Sequence, residues 1–373
     1  MSTSVCYSEF ARPTLVIGMV RRVGGFTGRS GVLRSSGYRG PVRTVDRQPI
    51  PRGEMMESAV RPTYLMFDGE LIAYGDAKLH VLSPALKYGI AVFEGFCGYW
   101  NQEHQELYTF RMQDHLRRLR ASLDMASLDY PGDVATLEAD IHRLIAANEF
   151  REDIHMRLQV FLVSDDGKPE DSGPTTTSIS AVPVSSYFGR SMLNLGVSTW
   201  ARISDRSMPP RMKSIANYHN GRQASIEARR NGYDAPLMLT DAGRISEGFG
   251  YNVFLVRDGK LLTPAVTESI LEGITRDSVI RLASERLGLR VEERPIDRTE
   301  LYSADEVFVC GSGEGVTGVA SVDRHSYSGG QLGEVTNEVR HLYLAAARGE
   351  AVASWNWVSP VYGQSVVQQV GVG

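Results

Sequence analysis

Three tight turns constrain this chain more than any other feature. Asp68-Gly69, Asp241-Ala242-Gly243 and Asp258-Gly259 each separate two short runs of apolar and β-branched residues. Glycine, lacking a Cβ, supplies the positive φ that such short hairpin loops require. The first turn joins 64–67 to 70–74, the second 237–240 to 244–246, and the third 253–256 to 260–263. Direct strand return of this kind builds antiparallel sheet; a doubly wound parallel sheet would need a helix in each crossover.

Helical periods fall between these hairpins. They predict helices over 114–127, with Leu116, Leu119, Leu123 and Met125 on one face, and over 137–148, 220–230, 275–287 and 335–347. Asn231-Gly232 supplies a left-handed stop for the third of these. Further strands are expected at 108–111, 154–163, 176–184, 195–200 and 306–310, and 82–93 has mixed character. The resulting fold class is α+β, or α/β, in two domains. A small α+β domain covers 61–184, a Gly- and Ser-containing connector 185–194, and a larger domain 195–357, leaving 358–373 as a tail without pattern. A length of 373 residues suits two cores better than one.

Residues 1–53 contain nine arginines and no lysine, with Glu9 and Asp46 as the only acids and no sustained apolar period. A disordered Arg-rich extension over 1–60 is expected, with organelle targeting, or a true start at Met55-Met56, as the alternatives. A formal charge of −4 argues against nucleic acid or an anionic membrane as partner, and no apolar run reaches the length of a membrane span. Cys6, Cys97 and Cys310 show neither pairing nor ligand spacing, so a reducing, cytoplasmic setting is expected. The eight histidines are scattered and no metal site is expected.

The chemistry concentrates around Lys213, in Met212-Lys213-Ser214-Ile215-Ala216-Asn217-Tyr218. Its apolar neighbours would draw it inward, and burial favours the uncharged amine, a Schiff-base nucleophile; a solvated surface charge is the alternative. Glu247, in a glycine-rich turn, could pair with Arg244 or face a pyridine nitrogen and keep it protonated. Gly273-Ile274-Thr275 opens a helix whose free amides and dipole suit a phosphate, with Arg111 at a strand end and Ser312 as further ligands. Gly311, Gly313 and Gly315 miss the dinucleotide fingerprint, because Val316 stands where its third glycine belongs. They are read instead as a tight turn that lets backbone approach a small ligand.

Several ordered blocks give these signals a common origin. They include Leu86-x-Tyr88-Gly89 leading to Val92-Phe93-Glu94-Gly95, Phe110-Arg111 with His115 and Arg118-Leu119, Lys213 with Asn217-Tyr218, Ile245-Ser246-Glu247-Gly248-x-Gly250-x-Asn252, and Gly273-Ile274-Thr275-Arg276-Asp277. In this order they resemble the class IV aminotransferases, the fold type IV pyridoxal-phosphate enzymes, and most closely the branched-chain aminotransferases.

The resemblance implies a small α+β domain and a larger one, as in D-amino acid aminotransferase, with pyridoxal 5'-phosphate between them and sites completed in a homodimer or higher homo-oligomer. Lys213 would carry the Schiff base and move the proton, Glu247 would hold the pyridinium, and Tyr218 would lie by the phenolic oxygen. Arg111, Ile274, Thr275 and Ser312 would hold the phosphate. Tyr88, Phe93, His155, Arg157, Tyr187 and Gly313 fall at substrate positions, for a branched or bulky aliphatic L-amino acid and 2-oxoglutarate. The sequence departs from the pattern at His155, where the family has tyrosine two residues before its arginine, and at Phe96-Cys97, where it has Ile-Arg. A histidine able to change charge near neutrality is expected to alter the carboxylate side. A D-amino acid or (R)-amine transaminase, an aminodeoxychorismate-lyase-like enzyme and a non-catalytic binding protein are the alternatives.

Overall fold

Two sheets organise the residues that the computed structural model describes, 62–184, 192–350 and 355–363. The expected extension at 1–60, pocket residue Tyr187 with most of the connector, and the end of the tail lie outside the described residues.

The first sheet contains β1 (Tyr64–Phe67), β2 (Glu70–Ala73), β3 (Ala91–Asn101), β4 (Glu106–Phe110), β5 (Ile154–Leu162) and β6 (Thr175–Pro183). The second contains β7 (Met192–Val197), β8 (Ala235–Leu239), β9 (Ile245–Gly248), β10 (Asn252–Arg257), β11 (Lys260–Pro264), β12 (Arg290–Arg294), β13 (Glu306–Gly311), β14 (Gly315–Val322) and β15 (His325–Ser326). The helices are α1 (Pro84–Tyr88), α2 (Met112–Met125), α3 (Val134–Asn148), α4 (Tyr218–Arg230), α5 (Ile274–Arg286) and α6 (Glu334–Ala347). A last strand, β16 (Val358–Pro360), returns to pair antiparallel with β4 at the edge of the first sheet. Residues read from sequence as a patternless tail are thus part of a sheet, because their partner lies some 250 positions away.

The three turns behave as their chemistry dictates. Asp68 and Gly69 take φ values of 52° and 75°, and Asp258 and Gly259 of 51° and 69°, the paired positive angles of a two-residue hairpin. The second sheet is nevertheless mixed, since β7 runs parallel to β8 and β14, and β12 parallel to β11.

Leu116, Leu119 and Leu123 of α2 pack with α3 against β3 and β5 in one core, while Met125 is 43% exposed, contrary to its expected place on the apolar face. α5 and α6 cover one side of the second sheet through Val279, Leu282, Val339 and Tyr343, and Leu237, Val253 and Val307 fill the other. Strand β3 is buried along nearly its whole length, so it carries no alternation for a sequence reading to find. No described helix is long and apolar enough to cross a membrane.

Candidate active site

The loop carrying Lys213 is bound to β3 as if it were a short extra strand. Phe93 N–H donates to the Lys213 carbonyl at 2.9 Å, Ile215 N–H to that of Ala91 at 3.1 Å, and Lys213 N–H to Ser122 Oγ of α2 at 3.1 Å. Asn217 ties the loop internally, its Nδ2 donating to Pro209 and Met212 carbonyls at 3.0 and 2.9 Å. These bonds fix a lysine that is only 9% exposed. Its Nζ lies 3.1 Å from Tyr218 Oη, on the first residue of α4, and 5.0 Å from the Phe93 ring centre. The expected trio of Lys213, Tyr218 and Phe93 is therefore brought together.

Lys213 faces two cavities. The inner one is lined by Glu247, Asn252, Ile274, Thr275 and Ser312, and also by Arg118 and Arg202. Glu247 is buried on β9. Its Oε1 accepts from Arg202 Nε at 2.8 Å, and its Oε2 from Asn252 Nδ2 at 3.1 Å and Leu271 N–H at 2.9 Å. Burial pushes its carboxyl above the ordinary range, with Arg202 pulling the other way. The alternative pairing with Arg244 does not occur, since that arginine binds Glu268 at 2.7 Å. Arg202 had no periodic or motif context and was not found from sequence.

At the other end of this cavity α5 begins at Gly273, with no side chain capping its first amides. Glycine is required there because a Cβ would stand 2.1 Å from Asn252 Oδ1. Ile274 and Thr275, as expected, line the cavity beside it. Arg111 is absent from the lining, and its guanidinium turns to Asp114 and Asp277, both at 2.6 Å, Ser278 Oγ at 2.9 Å and the Ile274 carbonyl at 3.2 Å. Arg118 lines the cavity, its Nη1 donating to the Glu272 carbonyl at 2.8 Å.

Arg118 is aimed by Glu94, a fully buried carboxylate on β3, which accepts from Arg118 Nε and Nη2 at 2.8 and 2.7 Å. His115 Nδ1 lies 2.7 Å from the same group. Burial would raise the Glu94 carboxyl, but Arg118 and His115 outweigh it and carry it down to about 2. Burial, stronger than the pull of Glu94, lowers His115.

The outer cavity is lined by Phe93, His155, Arg157, Phe249, Tyr251 and the turn Ser312-Gly313-Glu314 between β13 and β14. Arg157 stacks its guanidinium 4.0 Å from the Phe93 ring centre. His155 occupies the cavity, but the expectation that it changes charge near neutrality is overturned: burial, with Arg157 and Lys213 nearby, lowers it to about 4, so it stays neutral. Cys97 donates its thiol to the Ser312 carbonyl at 2.8 Å and so pins the turn; burial pushes that thiol up to about 12. Tyr88 lines neither described cavity and is 47% exposed.

Residues 91–322 match the family model of class IV amino-transferases. The branched-chain-amino-acid aminotransferase of Salmonella typhimurium is 37% identical over 305 residues, 80% of this chain and 97% of that one. The solved branched-chain aminotransferase of Thermobaculum terrenum, in its PLP form, matches with a TM-score of 0.76 and 40% identity over 81% of this chain and 99% of that one. The branched-chain aminotransferase of the thermophilic archaeon Thermoproteus uzoniensis, solved with norvaline, gives a TM-score of 0.77 and 35% identity over 81% and 100%. The expected fold class is that of these solved structures.

Proposed function

The chain belongs to the class IV aminotransferases, and from that membership we propose that it moves the amino group of a branched or bulky aliphatic L-amino acid to 2-oxoglutarate. It is a pyridoxal-phosphate-dependent transaminase. The inner cavity suits the cofactor by its donors: a buried carboxylate at one end, an uncapped helix start with Arg118 at the other, and an amine between them. Asn217 Oδ1, on a cavity-lining residue, is buried with no hydrogen-bond partner among the described residues.

When bound, pyridoxal phosphate supplies a carbonyl carbon for the amino group and a ring that takes up the electron pair released at the substrate α-carbon. Glu247, kept in place by Arg202, Asn252 and the Leu271 amide, would present negative charge to the ring nitrogen. Ile274, Thr275 and Ser312 would hold the phosphate, with Arg111 bonded to the Ile274 carbonyl at the helix start and Arg118 on the cavity wall as its cations. Tyr218 orients the Lys213 amine, which would carry the proton to and from the substrate α-carbon. Phe93, Phe249 and Tyr251 give the outer cavity apolar walls, and Arg157 a cation for the distal carboxylate of 2-oxoglutarate.

The observation that carries this reading is the position of Lys213 on the wall shared by both cavities. It is tested by following the cofactor spectrum of the holoenzyme with L-amino acids, D-amino acids and (R)-amines. Conversion by branched aliphatic L-amino acids, reversed by 2-oxoglutarate, is expected. Conversion by D-amino acids or amines alone would overturn it.

Glu247→Gln should slow the half-reaction on the order of 10²- to 10³-fold, the usual loss when one preorganised electrostatic contact is removed. Single-turnover rates at saturating cofactor measure it, and an unchanged rate would remove Glu247 from the role given above. The exposed apolar side chains of Val81, Leu82, Leu86 and Tyr88, close together in the chain, support a homodimer, since apolar side chains left to solvent in one segment suit an interface. Light scattering is expected to give twice the chain mass, and Leu86→Asp to weaken association by about tenfold or more. A monomer at all concentrations contradicts the assembly.

A further inference from the structure

Glu314 has no place in the chemistry just described, yet it lines the cavity that the substrate would enter. It ends the three-residue turn Ser312-Gly313-Glu314, whose ends Gly311 and Gly315 face each other across the β13–β14 hairpin. The side chain folds back over Gly311: a Cβ there would lie 2.4 Å from Glu314 Oε2 and 2.7 Å from the Gly250 carbonyl. Gly311 thus makes room for the carboxyl between the turn and the β9–β10 loop. Cys97, through its bond to the Ser312 carbonyl, holds the turn from the β3 side.

The resemblance puts Gly313 of this turn at a substrate position, so a bound substrate carboxylate would come against the same three residues. An ionised acid within the same three residues opposes a second carboxylate, whereas a protonated one has an O–H to donate to it. We propose that Glu314 makes acceptance of a substrate carboxylate proton-linked, donating a hydrogen bond to it as the acid and excluding it as the carboxylate. This inference rests on the outer cavity being the amino-acid and 2-oxo-acid site.

The surroundings suit such a switch. Burial pushes the Glu314 carboxyl up to about 7, with Lys213 pulling against that rise. The cavity can leave part of the residue accessible while the protein around it still withholds most of the water that would stabilise the charge. From β13 Cys310, from β3 Cys97 and from the loop Tyr251 face the same region, and burial raises all three well above neutrality. From β5, His155 is held neutral by burial and Arg157 carries fixed positive charge. Arg229 of α4 and Asp234 complete the charged lining, Asp234 accepting from Asn194 N–H at 2.8 Å. Burial thus brings the charge change of Glu314 closer to neutral pH than that of an ordinary carboxyl.

Because binding requires the protonated acid, affinity for a carboxylate should be pH-independent below about pH 7 and weaken by about tenfold per pH unit above it. The probe is 4-methylpentanoate, a monocarboxylate without an amine, titrated calorimetrically into wild-type holoenzyme and into the Glu314→Gln and Glu314→Ala holoenzymes. At about pH 8, in buffers of different ionisation heat, wild type should take up close to one proton more per ligand than either variant. Both variants should bind with a flatter pH profile. If the ligand binds in competition with the amino donor but with equal proton uptake and slope in all three proteins, the site reading stands and the role of Glu314 is overturned. If it does not bind to the holoenzyme at any pH, both are overturned.

Discussion

Lys213→Ala is expected to leave a folded protein that no longer exchanges amino groups. The half-reaction should fall by at least about 10⁴-fold, the upper range of what a single positioned proton-transfer group contributes, because this lysine is assigned nucleophile and proton carrier together. Stability should change little by comparison: the side chain is buried but its Nζ makes one short contact, 3.1 Å to Tyr218 Oη, worth about 1 kcal/mol. The loop itself is held by backbone and by Asn217, neither of which the substitution touches. Lys213→Arg separates charge from chemistry, since guanidinium retains the cation near the Phe93 ring but is never deprotonated in a protein. It should be as inactive as the alanine variant. Single-turnover conversion of the cofactor with a branched aliphatic L-amino acid measures both. If Lys213→Arg kept more than about one part in a hundred of the rate, positive charge would be what matters, and the general-base role would have to be abandoned.

What was legible from sequence and what was not divides by distance along the chain. The Asp-Gly hairpins, the α2 leucines and the glycine at the mouth of α5 are local, determined by φ, by helical period and by the neighbouring amides. Lys213, Glu247 and Thr275 could be proposed because each sits in a short motif with its own chemical logic. Arg111 could be proposed because it stands at a strand end, a common place for a ligand, while Arg118 carried no such signal. The contacts that set both arginines are not local: Arg111 adopts φ 51° and meets Asp277, 166 positions on, whereas Arg118 meets Glu94, 24 positions back. A signal was present, since His115 and Arg118 lie three apart on one helix face and share Glu94, but reading it requires knowing that β3 packs on α2. His155 was misjudged for a related reason: the depth of burial that keeps it neutral is a property of the assembled sheet. Arg202, β12 and β16 likewise acquire meaning only through partners brought in by the fold.

Glu94 is where those long-range contacts carry the largest stability effect. Its carboxylate is completely buried and receives two nitrogens of Arg118 and one of His115. Glu94→Gln would remove the charge that both partners answer to and leave a 13%-exposed guanidinium without its counter-ion. Breaking one side of a buried ion pair costs about 3–5 kcal/mol, which corresponds to a fall in Tm on the order of 10 °C for a chain of this size. The loss should depend on pH in a defined direction. The folded carboxyl lies at about 2 against an ordinary 4.5, so its contribution is complete above about pH 4.5 and disappears as pH falls towards 2. The gap in unfolding free energy between wild type and Glu94→Gln should therefore be widest near neutrality and close over that acidic window. Arg118 would also lose the contact that orients it, so pyridoxal phosphate should dissociate faster from the variant. Glu94→Asp distinguishes charge from geometry, since it keeps the carboxylate but shortens its reach by one methylene. If thermal unfolding of Glu94→Gln matched wild type at pH 7, the buried triad would be a bystander to stability, and Arg118 would have to be aimed by the Glu272 carbonyl alone.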